Sequence, residues 1–257
     1  MAYSFPKGPV SLTFRQRVTW ASHLFKAIFY QYHREFAERI APLVPRDGVI
    51  ADIGAHSGQF TKLFARLAQK GGVYAFEPGG YALSILRPVV WLRRLHNVTI
   101  IPTGLSDKPG EEILNVPLKK SGAVGFGLAH IGEELSGRDV LSQRITLTTL
   151  DRFVIEQGLS RLDFVKADTE GWEPYLLRGA RKTIAKFRPS VLIEVSEKQL
   201  AQSGSTPQEI FEIFAPLGYC IFKTFESEGY RLHPVTDYDG GADYLFVPQE
   251  KTGLVAA

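Results

Sequence analysis

Ile50-Ala51-Asp52-Ile53-Gly54-Ala55-His56-Ser57-Gly58-Gln59-Phe60-Thr61 is the stretch on which the fold turns. Residues 49–53 form an apolar run that ends at a glycine, and residues 57–69 have the composition of a helix. That order predicts a buried strand, a sharp turn and the start of a helix. Gly54 lets the chain turn at the strand's end, and Gly58 lets the helix approach the sheet closely. A helix start presents unpaired N–H groups, which suit a carboxylate or a phosphate. The spacing is G-x-x-x-G, without the third glycine of the dinucleotide turn G-x-G-x-x-G. No G-x-x-x-x-G-K-[ST] occurs, so a P-loop nucleotidase is not expected.

Outward from this turn, strands and helices alternate. Residues 73–76 predict a second strand and 81–95 a helix, kinked or split at Pro88. Further strands are expected at 98–102, 164–167 and 191–195, with helices at 174–186 and 207–215. Two last strands, 219–225 and 244–247, have no helix between them and read as an antiparallel pair. The sum is an α/β, doubly wound, mostly parallel seven-stranded sheet with an antiparallel C-terminal strand. Residues 111–150 interrupt the alternation. Segments 113–116 and 145–147 are expected to pair as strands flanking five glycines between 122 and 137. This insertion reads either as surface decoration or as a lid that recognises the acceptor.

Glu77 stands immediately after the second strand, 23 positions beyond Gly54. An acid there can accept two hydrogen bonds from a ribose diol; the plain alternative is an acid at a helix N-terminus. Gly104-Leu105-Ser106-Asp107 follows the third strand, where an adenine would lie, although Asp107 is equally a turn residue. Both an S-adenosylmethionine site and an NAD site need a ribose acid. A dinucleotide must also seat a pyrophosphate, whereas adenosylmethionine seats an amino-acid carboxylate and ammonium. Asp52, two residues before Gly54, is placed to face that ammonium.

At these residues the chain resembles the FkbM-type S-adenosylmethionine-dependent methyltransferases over about residues 48–247. The marks are Asp52-Ile53-Gly54-Ala55-His56-Ser57-Gly58, Phe76-Glu77-Pro78, Gly104-Leu105-Ser106-Asp107 and Thr148-Thr149-Leu150-Asp151. Asp163-Phe164-Val165-Lys166-Ala167-Asp168-Thr169-Glu170-Gly171-Trp172-Glu173 and Leu192-Ile193-Glu194-Val195 complete the set. The resemblance implies a class I methyltransferase (Rossmann-like) fold and O-methylation of a hydroxyl on a sugar, glycan or natural product. It implies that Asp52, Gly54 and Gly58, with Ala55 and His56 between them, hold the amino-acid end of S-adenosyl-L-methionine. Glu77, with Pro78 beside it, would hold the ribose, and Ser106 and Asp107 the adenine side. The alternatives are an NAD(P)-linked oxidoreductase, disfavoured by the missing glycine, and a non-catalytic cofactor-binding module.

The fourth strand ends at Asp168, with Glu170 and Glu173 following and Glu194 near the end of the fifth. Strand C-terminal ends line the site of an open parallel sheet. Glu170 is the expected general base, and Asp168 the expected positioning residue and ammonium partner. His56, His130 and His233 are weaker candidates for the base. Asp168 and Glu170 lack a clear third ligand, so no metal is expected. Glu173, beside Pro174, reads as a first-turn helix acid. Trp172 reads either as a cap on the acceptor pocket or as a helix-edge residue, and Cys220 as core.

Before the glycine turn, Phe14, Val18, Ala21, Phe25, Ile28, Tyr32, Phe36 and Ile40 form a helical stripe with Arg15, Arg17, Lys26, Arg34 and Arg39 between them. This N-terminal helical extension, 1–47, precedes a methyltransferase domain at 48–257. Its plain reading is a helix packed on the main domain or on a second copy, hence a homodimer. A basic amphipathic helix on a membrane surface is the sharper one, diluted by Glu35 and Glu38. The chain has 257 residues, 30 basic and 27 acidic, too balanced for charge to argue nucleic-acid binding. A single cysteine excludes an intramolecular disulfide framework and any cysteine-based zinc cluster. No apolar run reaches membrane-span length and residues 1–10 have no signal-peptide core, so a cytoplasmic enzyme acting on a small-molecule or glycan acceptor is expected.

Overall fold

The computed structural model describes residues 13–117, 129–131 and 140–255. Two helices come first, α1 (Phe14–Phe29) and α2 (Arg34–Ile40). Thr13 and Gln16 close a capping box on α1, each side chain taking the other's backbone N–H. The stripe at 14–40 is therefore two helices, where one was expected. The break has a physical cause: the Lys62 ammonium donates to the carbonyls of Ala27 and Tyr30, at 2.6 and 2.7 Å, and ends α1 there. His33, at φ 60°, then starts α2.

The remaining elements are β1 (Val49–Ile53), α3 (Gln59–Leu67), β2 (Gly72–Phe76), α4 (Gly80–Leu92), β3 (Val98–Ile101), β4 (Gly104–Leu105), β5 (Gly110–Pro117), β6 (His130–Ile131), β7 (Val140–Thr148) and α5 (Leu150–Glu156). Then follow β8 (Phe164–Ala167), α6 (Glu173–Arg178), α7 (Arg181–Phe187), β9 (Ser190–Val195), α8 (Glu197–Gln202), α9 (Pro207–Phe214), β10 (Tyr219–Thr224), β11 (His233–Val235) and β12 (Ala242–Pro248). The main sheet runs β11-β10-β12-β9-β8-β1-β2-β3. From β9 to β3 the pairings are parallel, while β12 is antiparallel to both β9 and β10. The sheet thus has eight strands, one more than the seven expected, because the short β11 adds to the edge of β10. Strand β1 is buried on both faces, as a central parallel strand must be. Ala51 and Ile53 pack into the layer built with α5, α6, α7 and α9, and Ile50 into the layer with α2 and α3.

Two helical expectations change in the structure. Helix α4 runs through Pro88 as one element. The helix expected at 174–186 divides at Gly179, where a Cβ would fall 2.0 Å from the Ser106 carbonyl oxygen. The insertion is in part a second sheet, β4-β7-β5-β6. Its flanks pair antiparallel as expected, Gly110 opposite Leu147 through to Pro117 opposite Val140. Most of the glycine-rich tip lies outside the described residues. Tyr81, Ile85 and Val89 of α4 form one apolar cluster with Ala27 of α1 and Leu114, Val116, Ile145 and Leu147 of the small sheet. Among the described residues, no helix is long and apolar enough to cross a membrane.

Candidate active site

A cleft of about 390 Å3 opens over the C-terminal ends of β1, β2 and β8. It lies where the strand order reverses, since the chain leaves β1 towards β2 and β3 and later returns on the other side of β1 as β8. Gly54 begins its floor at φ 74°, and a Cβ on it would lie 1.8 Å from the Asp168 carbonyl oxygen. The β1 and β8 loops therefore touch through backbone, and only glycine fits between them. Gly58, at φ 84°, caps α3 as its N-terminal neighbour. A Cβ there would meet Leu86 of α4 at 2.8 Å, so this glycine serves helix packing and does not line the cleft.

Glu77 is 7% exposed, and its carboxylate faces the cleft. The backbone N–H groups of His56 and Gly79 each donate to it at 2.8 Å. Burial pushes its carboxyl up to about 7 despite those two hydrogen bonds. The β1 turn and the β2 end are thus stitched together by one acid, which keeps lone pairs for further donors.

On the opposite side, Lys166 is buried in β8 and donates to the Gly54 carbonyl at 3.1 Å and to Asp168 Oδ2 at 2.9 Å. Burial alone would push the Asp168 carboxyl up. The Lys166 ammonium and a hydrogen bond from Glu194 outweigh it and hold Asp168 below the usual carboxylate range. Glu194 carries the shared proton, because burial and the neighbouring Asp168 charge push it up to about 9. Glu170 sits at φ 57° and accepts from the Gln199 amide. Burial, then Asp168 and Glu173, push its carboxyl up to about 8. Glu173 is buried, and its Oε1 accepts from the Thr169 N–H at 2.7 Å and the Thr169 hydroxyl at 2.9 Å. It builds the loop and leaves the cleft to Asp168 and Glu170, in keeping with the first-turn reading.

Of the expected site residues, the fold brings Gly54, Ala55, His56, Glu77, Pro78, Asp168 and Glu170 to one cleft. Four stand outside its lining: Asp52, Gly58, Ser106 and Asp107. Asp52 is fully buried under the floor and accepts from the Thr61 hydroxyl at 2.5 Å. Its other oxygen has no partner among the described residues, and burial pushes the carboxyl up. Ser106 is tied back by its N–H to the Thr148 carbonyl, at 2.8 Å, and its hydroxyl accepts from the Trp172 indole at 3.2 Å. Gly104 and Leu105 take the wall in its place, together with Trp172, which stacks on Tyr175 at 4.1 Å. Sequence reading missed Lys166 and His33 as lining residues. A lysine inside an apolar strand two residues before an acid was a usable signal. His33 had none, because it reaches the mouth from α2 and stacks on Phe60 of α3 at 4.6 Å. Among the described residues, no group of three or more His, Cys, Asp or Glu side chains is arranged to hold a metal ion.

The family model of the methyltransferase FkbM domain matches residues 52–232. The chain belongs to the FkbM methyltransferase family. Among curated relatives, this FkbM chain is 26% identical over 212 residues to methyltransferase SdnD of Sordaria araneosa, covering 73% of this chain and 78% of that protein. It is 25% identical over 183 residues to the 2-O-methyltransferase NoeI of Sinorhizobium fredii, covering 68% and 72%. A third match, the AMB antimetabolite synthetase AmbE of Pseudomonas aeruginosa, is 27% identical over 74% of this chain, which spans 10% of AmbE. Among solved structures, methyltransferase FkbM from Methylobacillus flagellatus aligns with a TM-score of 0.50 at 16% identity, covering 79% of this chain and 44% of that one. That likeness supports the class I methyltransferase fold. FkbM methyltransferases use S-adenosylmethionine, so the oxidoreductase alternative falls.

The cleft's donor set fits that cofactor. Glu77 offers a buried carboxylate for a diol. Glu77, Asp168, Glu170 and Glu194 all line the cleft, and Lys166 is its one lysine or arginine among the described residues. Such an excess of carboxyl groups, three of them driven towards their protonated forms by burial, suits a ligand that brings positive charge.

Proposed function

We propose that this FkbM methyltransferase methylates a hydroxyl oxygen on a sugar, glycan or natural-product acceptor. The observation behind the reading is Glu170, a cleft carboxyl beside Asp168 whose affinity for a proton is raised to about 8. A hydroxyl is a weak nucleophile while it keeps its proton, and a base with that affinity is matched to removing it. The 2-O-methyltransferase among the relatives points the same way. Bound S-adenosylmethionine supplies a methyl on a sulfonium, already activated by a good leaving group. Glu77 would hold the ribose hydroxyls, Gly54 to His56 the amino-acid end, and Gly104 and Leu105 the adenine. Ser106 would brace that wall from behind, with Asp107 exposed beside it. Asp168, kept ionised by Lys166, would position the donor's ammonium, and Asp52 supports the floor through Thr61. Glu170 would take the acceptor hydroxyl's proton as that oxygen receives the methyl group, the sulfur keeping the bonding pair. Holding both reactants in line supplies up to roughly 7 to 11 kcal/mol.

The test joins binding to chemistry. Titration calorimetry should show S-adenosylhomocysteine binding at about micromolar strength, with no comparable heat from NAD. Glu77→Ala should weaken binding by about tenfold to a hundredfold, since charge-assisted hydrogen bonds are lost. Purified enzyme incubated with hydroxylated and aminated acceptors should add one methyl only to the hydroxylated set, read by mass. Methylation confined to amines would overturn the oxygen assignment.

A further inference from the structure

Eleven large apolar side chains are exposed among the described residues, and eight of them share one region. Phe14 (84% exposed), Val18, Phe25 and Phe29 lie along α1; Tyr30 and Tyr32 follow it; Trp91 (77%) and Leu92 end α4. Helices α1 and α4 pack side by side, with the Trp20 indole donating to the Ser84 hydroxyl at 2.8 Å. The inner face of α1 is thus used, and its outer face is a strip of aromatic rings. Single exposed apolar residues need no explanation, but a contiguous strip does.

The charge beside this strip is predominantly basic. Arg66 feels Arg93 and Arg34 most strongly among charged groups, and Lys62 feels Arg93 and Arg66. Lys62 is the side chain that pins the C-terminal end of α1. None of Arg34, Arg66 and Arg93 has a carboxylate within ion-pair distance among the described residues. Residues 13–40 and 59–95 together contain eleven lysines and arginines and only three acids, Glu35, Glu38 and Glu77, the last buried in the cleft. Aromatic rings beside unpaired arginines are the composition that seats a protein at a lipid–water interface. A two-fold contact between copies through this strip would bring one arginine cluster towards the other, which costs free energy, whereas an anionic lipid surface neutralises both.

We propose that the outer face of α1, with the end of α4 and the Arg34, Arg66 and Arg93 cluster, docks this methyltransferase on an anionic bilayer. The dock borders the cleft, because Gln31 reaches from the chain after α1 to the Gln59 carbonyl at 3.1 Å, and both Gln59 and His33 line the cleft. Acceptors held at a membrane surface would then meet the mouth directly.

Co-sedimentation of the full chain with vesicles tests this without any methyl transfer. Vesicles of phosphatidylcholine with about one third phosphatidylglycerol should bind the protein at least about tenfold more tightly than phosphatidylcholine alone, and rising salt should weaken that binding. Replacing Arg34, Arg66 and Arg93 together with glutamine should remove most of the anionic preference. Phe25→Ser with Phe29→Ser should weaken binding to both vesicle types. All these side chains are exposed, and unchanged S-adenosylhomocysteine affinity will show that each variant is folded. Equal binding to both vesicle types, or no binding to either, overturns the proposal. So does a stable dimer in light scattering that Phe25→Ser with Phe29→Ser dissolves, or anionic binding that survives the arginine changes.

Discussion

Glu170 is the residue on which the chemistry turns, and its pH dependence is its signature. A carboxyl raised to about 8 is mostly protonated at pH 7, so its service as a base grows as pH rises and levels off above that value. In wild type, kcat/KM should rise from pH 6 to about 8. The rise in kcat should come at lower pH, because the bound sulfonium favours the ionised carboxylate. Glu170→Gln should flatten both limbs and lower kcat by about a hundredfold or more, leaving S-adenosylmethionine affinity nearly unchanged. Full turnover in that variant across the range would move the base elsewhere, to His56 first. Glu77 and Asp168 were legible because an acid at the end of a parallel strand has one place to point. Ser106 was not. Its position after β3 is right for an adenine site, but one hydrogen bond to Thr148 turns it behind the wall. No local pattern announces a contact with a residue 42 positions away.

At the scale of elements, β5 and β6 supply one side of the cleft. Leu114 and Val116 of β5, with Ala129 and Ile131, form an apolar wall of the cleft. The ladder itself needs only Gly110–Pro117 and Val140–Thr148. Joining Pro117 to Val140 by a short turn should keep that ladder and change cofactor affinity by less than about threefold, since Glu77 and the β1 turn are untouched. It should abolish transfer to the natural acceptor, because Ala129, Ile131 and their neighbours are lost. Unchanged turnover would make the segment decoration. The flanking strands of this insertion were legible at 113–116 and 145–147, whereas the two-residue β4 and β6 are too short to show in a sequence. The break between α1 and α2 was not, because its cause is a lysine on α3, whose reach to the Ala27 and Tyr30 carbonyls is tertiary. Gly179 hid the division of α6 from α7 in the same way, through a close approach to Ser106.

For the whole molecule, the carboxyl cluster makes stability depend on pH. Glu170 and Glu194 are pushed up to about 8 and 9, and Asp243, beside them, to about 7. A carboxyl whose folded value lies above its unfolded value near 4 binds its proton better in the folded state. The folded chain therefore holds more protons than the unfolded one from about pH 4 to 9, and stability falls as pH rises through that window. Each such group contributes at most about 1.4 kcal/mol per pH unit. The melting temperature of the ligand-free protein should fall between pH 6 and 9 in a scanning fluorimetry series, and Glu194→Gln should make that fall shallower. A melting temperature that climbs over this range would contradict the protonation of the cluster.

The same cluster bears on how the enzyme lets go of what it has used. Once the methyl group is gone, the sulfur is neutral, and the acids around Lys166 face one positive charge, the ammonium, in place of two. Spent cofactor therefore leaves a cleft whose electrostatics favour fresh donor. In a competition titration, fresh donor should displace spent cofactor at less than equal concentration.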